Sequence, residues 1–96
     1  GLARRRSKTI GLAIPTLTNP FFAEVTQAII DAGERHGNAV VLVPTWETET
    51  GEAAAVQTLL PRNVDGVIGF FERHTPEAIL EQLHHSPFVL LNGESK

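Results

Sequence analysis

The junction that most restricts what this chain can fold into is Thr9–Phe22, TIGLAIPTLTNPFF, in which an apolar run is followed after a short loop by Asn19-Pro20. Ile10–Ile14 is short and aliphatic with no polar alternation, the pattern of a strand covered on both faces. An Asn before a Pro supplies a helix cap, with proline at the first helical position where its absent N–H costs nothing. The loop Pro15 to Thr18 therefore falls at the carboxyl end of a buried strand. In open parallel sheets, ligands bind at that end.

The same alternation recurs along the chain. A helix from Pro20 to about His36 carries Phe22, Val25, Ile29 and Ala32 as one apolar stripe, and Gly37 supplies its left-handed stop. Ala39–Val43 (AVVLV) reads as a second buried strand. The next helix is predicted to start near Thr50 and run through Ala53, Val56, Leu59 and Leu60, until Pro61 ends or distorts it. Val64–Phe70 (VDGVIGF) is the third strand. Thr75-Pro76 repeats the cap-and-proline logic and opens a helix with Ile79, Leu80 and Leu83 inward and His84 and His85 at its end. Phe88–Leu91 (FVLL) is the fourth strand. The order β-α-β-α-β-α-β, with connections long enough for helices, predicts an α/β fold: a doubly wound parallel sheet with right-handed crossovers; with the strand order 2-1-3-4, strands one and three flank the topological switch and their loops face one crevice. The chain ends soon after the fourth strand and is expected to be the front part of a longer protein.

Composition narrows the function. At 96 residues the chain forms one small domain, burying only about 60–65% of its unfolded surface. It has no Cys, which excludes disulfides, thiolate metal sites and Cys nucleophiles. No apolar run approaches the roughly 20 residues a membrane helix needs, so no membrane partner is expected. The start GLARRRSKTIGL lacks the apolar segment of a secretory signal. Charge is divided unevenly: Arg4, Arg5, Arg6 and Lys8 are four of the eight basic residues, and residues 9–96 hold four basic against eleven acidic groups. A basic arm before an acidic body is a familiar arrangement in chains that touch nucleic acid, although a solvated linker has the same composition.

Catalysis finds no footing in the sequence. The first strand-helix turn, Pro15 to Pro20, has no glycine for a dinucleotide, and no Gly-rich loop with Lys-Ser/Thr is present for a nucleotide phosphate. A phosphoacceptor site would need acids where Pro15, Thr16, Phe70 and Phe71 stand. Ser7, Ser86 and Ser95 lack a nucleophile-elbow context. His36, His84 and His85 sit at helix ends, where the dipole accounts for them, and no His spacing or acidic partner suggests a metal. Only His74, in the loop before the third helix, is placed where a ligand could meet it. Neither cofactor nor metal is expected. What the strand ends offer is aromatic, hydroxyl and amide chemistry: Thr16, Thr18, Asn19, Phe21 and Phe22 after strand one, Phe70 and Phe71 after strand three, and Asn92 after strand four. Such a wall suits a sugar or another small polar ring. The plain alternative is that the phenylalanines are core.

SKTIGLAIPTLTNPFFAEVTQAI, Gly37 before a strand, NVDGVIGF and SPFVLLN together resemble the effector-binding core of LacI/GalR-family bacterial transcriptional repressors, over essentially the whole chain. NPFFAE and VDGVI are the most telling pieces. The resemblance implies a periplasmic-binding-protein-like type I fold, with residues 1–8 as the end of a hinge and linker and 9–96 as part of the N-terminal effector-binding subdomain. It implies a cytoplasmic, ligand-responsive regulator that acts on operator DNA through a helix-turn-helix headpiece outside this chain. Leu2, Arg4, Arg5 and Arg6 would lie near DNA, Leu2 at the position of a leucine wedged between base pairs. Effector contacts would fall on Asn19, Phe21, Phe22, Phe70 and Asn92. Neutral Thr16 and Asn92 stand where the family often has acids. A homodimer interface through the first helix and second strand would take in Ala28, Asp31, Ala32, Val41 and Val43. Periplasmic sugar-binding proteins of transport systems share the core and are the alternative, but a mature periplasmic start less often carries three arginines.

Overall fold

The computed structural model describes residues 7–91; Leu2, Arg4, Arg5, Arg6 and Asn92 lie outside the described residues. Its elements follow the expected alternation: β1 (Thr9–Ile14), α1 (Pro20–Arg35), β2 (Ala39–Pro44), α2 (Glu49–Leu59), β3 (Gly66–Gly69), α3 (Pro76–Gln82) and β4 (Phe88–Leu90). All pairings are parallel, as the alternation predicts, and the strand order is β2-β1-β3-β4, the expected 2-1-3-4.

The caps at Asn19 and Thr75 form as the sequence predicts, and Thr48 adds a third. The Asn19 side chain accepts from the Phe21 N–H, that of Thr48 from Gly51 and that of Thr75 from Ala78. Each satisfies one of the orphan donors of a first helical turn, worth about 1 kcal/mol. Gly37 sits at φ 76° just past α1, the left-handed conformation expected of it. Pro61 ends α2 at Leu59, and the chain tightens into a 3₁₀ turn over Leu60–Arg62. Three boundaries differ from expectation. α2 begins at Glu49 because Thr48, not a later residue, provides the cap. β4 is one residue shorter. β3 spans only Gly66–Gly69, the stretch in register with Ile10–Ala13 of β1.

The pleat sorts side chains to two faces. Leu12, Ile14, Val40, Leu42 and Ile68 meet Phe22, Val25 and Ile29 of α1. Ala13, Val41, Val43, Val67 and Phe88 meet Ala55, Val56 and Leu59 of α2 and Ile79 and Leu83, from α3 and its C-cap. Both faces of the central strands are therefore covered, which is why β1 reads as a continuous apolar run. Coverage thins at the β4 edge, where Val89 and Leu90 are exposed. No helix among the described residues is long and apolar enough to cross a membrane.

Candidate functional site: an aromatic wall at the carboxyl end of the sheet

Three loops meet at the carboxyl ends of β1, β2 and β3. In the first, Thr16 and Thr18 hydroxyls stand 3.0 Å apart and the Thr18 N–H donates to Thr16 Oγ1 at 3.2 Å, a local turn that leads into the Asn19 cap. Asn19 Oδ1 is committed to the Phe21 N–H at 2.9 Å. The Asn19 amide nitrogen is the end left for another partner.

Capping fixes the start of α1, and that in turn fixes two consecutive phenylalanines with different fates. Phe22 and Phe70 are buried, whereas Phe21 is 40% exposed. The three rings form an edge-to-face cluster: Phe22 to Phe70 at 5.0 Å and 80°, Phe21 to Phe22 at 5.1 Å and 73°, Phe21 to Phe70 at 6.3 Å and 74°. Such geometry sets the positive edge of one ring against the negative face of the next. Phe22 and Phe70 thus form a rigid base, and Phe21 stands on it as the ring with open surface. Of the five residues the family resemblance points to, Asn19 and Phe21 are exposed together, Phe22 and Phe70 lie behind them, and Asn92 is outside the described residues.

The second and third loops add what the sequence reading missed. Trp46, the chain's single tryptophan, follows β2 and is 66% exposed, with φ 61°, and Glu47 follows at φ 59°. Two successive left-handed non-glycine residues persist only where surroundings enforce them. Here the Trp46 N–H donates to Pro15 O at 2.9 Å, which joins the second loop to the first. Arg73 Nε donates to Glu47 O at 3.1 Å, which joins the third to the second.

Glu52 completes the frame. Its carboxylate is 2% exposed and accepts from the Glu72 N–H at 2.7 Å, the Arg73 N–H at 3.0 Å and His74 Nδ1 at 2.9 Å. His74 thus has an acidic partner after all, supplied by α2 rather than by local spacing. A buried carboxylate needs such a set of donors to offset its desolvation. The available signal was Glu52 itself, placed on the same stripe as Val56 and Leu59. Among the described residues no group of three or more His, Cys, Asp or Glu side chains could hold a metal ion.

The dimer candidates divide. Ala28 and Asp31 are exposed on α1, Asp31 accepting from Gln27 Nε2 at 3.0 Å, and Ala32 is half-buried. Val41 and Val43 lie on the edge strand β2 but turn their side chains onto the α2 face.

The architecture is that of known regulators. Residues 7–95 match the family described as periplasmic binding proteins and sugar binding domain of LacI family. The chain is 36% identical over 78 residues to the HTH-type transcriptional regulator pepR1 of Lactobacillus delbrueckii subsp. lactis, covering 81% of this chain and 23% of that protein. It is 30% identical over 95 residues to the catabolite control protein A of Priestia megaterium, covering 99% and 28%. A LacI family transcriptional regulator from Arthrobacter sp. FB24, solved in complex with lactose, superposes with a TM-score of 0.78 at 29% identity, covering 94% of this chain and 32% of that one. The chain spans about a quarter of the length of the curated relatives it matches. These relatives are transcriptional regulators, not enzymes or transport proteins. The chain belongs to the family of periplasmic binding proteins and LacI-family sugar-binding domains.

Proposed function

We propose that this chain is the N-terminal effector-sensing and dimerising subdomain of a ligand-responsive transcriptional regulator, acting in the cytoplasm. The observation that carries the reading is the exposed Phe21 ring, held over buried Phe22 and Phe70 beside Asn19 at the carboxyl end of the sheet. An aromatic face next to amide and hydroxyl groups stacks on the apolar face of a sugar or similar polar ring and bonds its hydroxyls. Phe70 backs this wall, and Asn92, outside the described residues, is the further effector contact of this reading. A second lobe, from chain outside this segment, supplies the opposite wall.

The basic run Arg4–Arg6, with Leu2 ahead of it, precedes β1 in the sequence, and the aromatic wall follows β1. In the intact protein a helix-turn-helix headpiece upstream reads operator DNA, and Leu2 and the arginines lie against the duplex. Two copies associate through α1 and β2, with Ala28, Asp31, Ala32, Val41 and Val43 at or beside the contact. Effector closure then changes the relative orientation of two such subdomains, and with it the fit of both arms to DNA.

The test is isothermal calorimetry of the full-length protein against a panel of mono- and disaccharides and nucleosides, with and without Phe21→Ala. Micromolar binding of one compound, weakened at least tenfold by the substitution, is the expected result. Unchanged affinity removes Phe21 from the site.

A further inference from the structure

Where β1 begins, the chain makes a turn that one side chain holds. Asp65, the residue before β3, accepts the Ser7 N–H on Oδ1 at 2.9 Å, the Ser7 hydroxyl on the same oxygen at 3.2 Å, and the Lys8 N–H on Oδ2 at 2.9 Å. Its own N–H donates to Thr9 O at 2.7 Å, and Lys8 O accepts from the Ala39 N–H of β2 at 2.8 Å. Lys8 is thus gripped from both neighbouring strands, and it sits at φ 59°. A lysine keeps that left-handed conformation only where its surroundings enforce it. The arginine run ends at Arg6, one residue before the grip begins.

We infer that Asp65 is a positioning residue for the basic arm: its carboxylate fixes the point and direction in which the chain leaves the domain toward DNA. This rests on the regulator reading above. The physical need is clear. An arm tethered by slack residues must order them on binding DNA, and a change in subdomain orientation is absorbed by the slack instead of reaching the duplex. A carboxylate that takes two successive backbone N–H groups removes that freedom beforehand. Side-chain clamps then stand at each end of β3: Asp65 before it, holding Ser7 and Lys8 at the start of β1, and Glu52, through Glu72 and Arg73, holding the loop after it.

Charge makes the proposal separable from simple electrostatics. Asp65→Ala deletes a negative charge near the arm, so electrostatics alone would tighten DNA binding. The clamp predicts the opposite sign. The experiment uses the full-length protein and a DNA duplex that the wild type itself enriches from random sequence, with backbone amide exchange followed in parallel. Asp65→Ala should lose at least tenfold protection at the Ser7 and Lys8 amides, keep it at Leu12 and Ile14, and bind the duplex about tenfold more weakly. The salt dependence should be unchanged, because no phosphate contact is removed. Asp65→Asn, which keeps one acceptor oxygen, should fall between the two and serves if the alanine variant does not fold. Equal or tighter DNA binding by both variants overturns the role of Asp65, as does weakening accompanied by lost protection at Leu12 and Ile14. A wild-type protein that enriches no duplex overturns the regulator reading itself, and the role of Asp65 with it.

Discussion

Glu52 and His74 meet at 2.9 Å although 22 residues separate them, and the carboxylate side of the pair is 2% exposed. The same carboxylate takes the Glu72 and Arg73 N–H groups, so α2 determines where the loop after β3 lies. Glu52→Ala strands these donors, and the expected loss is on the order of 2–4 kcal/mol of unfolding free energy. Glu52→Gln retains one acceptor oxygen and should lose roughly half as much. Urea denaturation followed by circular dichroism measures both; a loss below about 0.5 kcal/mol for the alanine variant would show that the loop needs no such anchor.

The two halves of Phe21-Phe22 should respond oppositely to truncation. Phe22→Ala and Phe70→Ala empty a packed core and should cost about 3–5 kcal/mol. Phe21, 40% exposed, should cost about 1 kcal/mol when shortened, while removing the exposed ring proposed to meet the effector. Chemical denaturation set beside calorimetric titration separates the two effects. Equal destabilisation at positions 21 and 70 would mean that Phe21 is core as well.

Gly51 has no room for a side chain. A Cβ built there collides with the Thr45 carbonyl oxygen and lies 2.7 Å from the Thr48 hydroxyl that caps α2. The collision is with backbone, which cannot swing aside. Gly51→Ala should therefore cost about 1–3 kcal/mol and disturb the Trp46-Glu47 turn. Since Trp46 is the chain's single tryptophan, a shift in its emission in a full-length protein without other tryptophans reports that disturbance directly. An unshifted spectrum with wild-type stability would contradict the packing.

Association through α1 can be examined at Ala28, which is exposed, so that a substitution there should leave the fold undisturbed. In a two-fold dimer each substitution acts twice. Ala28→Arg should weaken self-association of the full-length protein at least tenfold in analytical ultracentrifugation, with the melting temperature of the monomer unchanged. Wild-type association would move the interface elsewhere.

How much of this was legible beforehand follows from the range of each signal. Asn19-Pro20, Thr75-Pro76, Gly37 and Pro61 act on their own neighbours, so their consequences were readable from adjacent residues, and the four apolar runs with helix-length spacers made the parallel alternation legible, while the spatial order β2-β1-β3-β4 depends on contacts between elements. Phe21 and Phe22 are identical in type and adjacent, and only the direction of α1 against the sheet separates the exposed ring from the buried one. Glu52, Trp46 and Asp65 went unread because their partners come from other elements: the Glu52 carboxylate meets the loop after β3, and Asp65, which reads as part of a strand, meets Ser7 and Lys8. A carboxylate on an apolar helix stripe was the one local hint. The left-handed Trp46 and Lys8 gave none, since nothing in their side chains prefers that conformation.

The central claim is that a ligand bound against Phe21 changes DNA binding by the arm that precedes β1. Its most direct test is fluorescence anisotropy of the full-length protein on its enriched duplex, titrated with the compound identified by calorimetry. The account predicts a change in DNA affinity of roughly 5- to 150-fold on saturation, abolished by Phe21→Ala while effector-free DNA binding stays at the wild-type value. A compound that saturates the crevice and leaves DNA affinity unchanged, or a Phe21→Ala protein that responds as the wild type does, would contradict it.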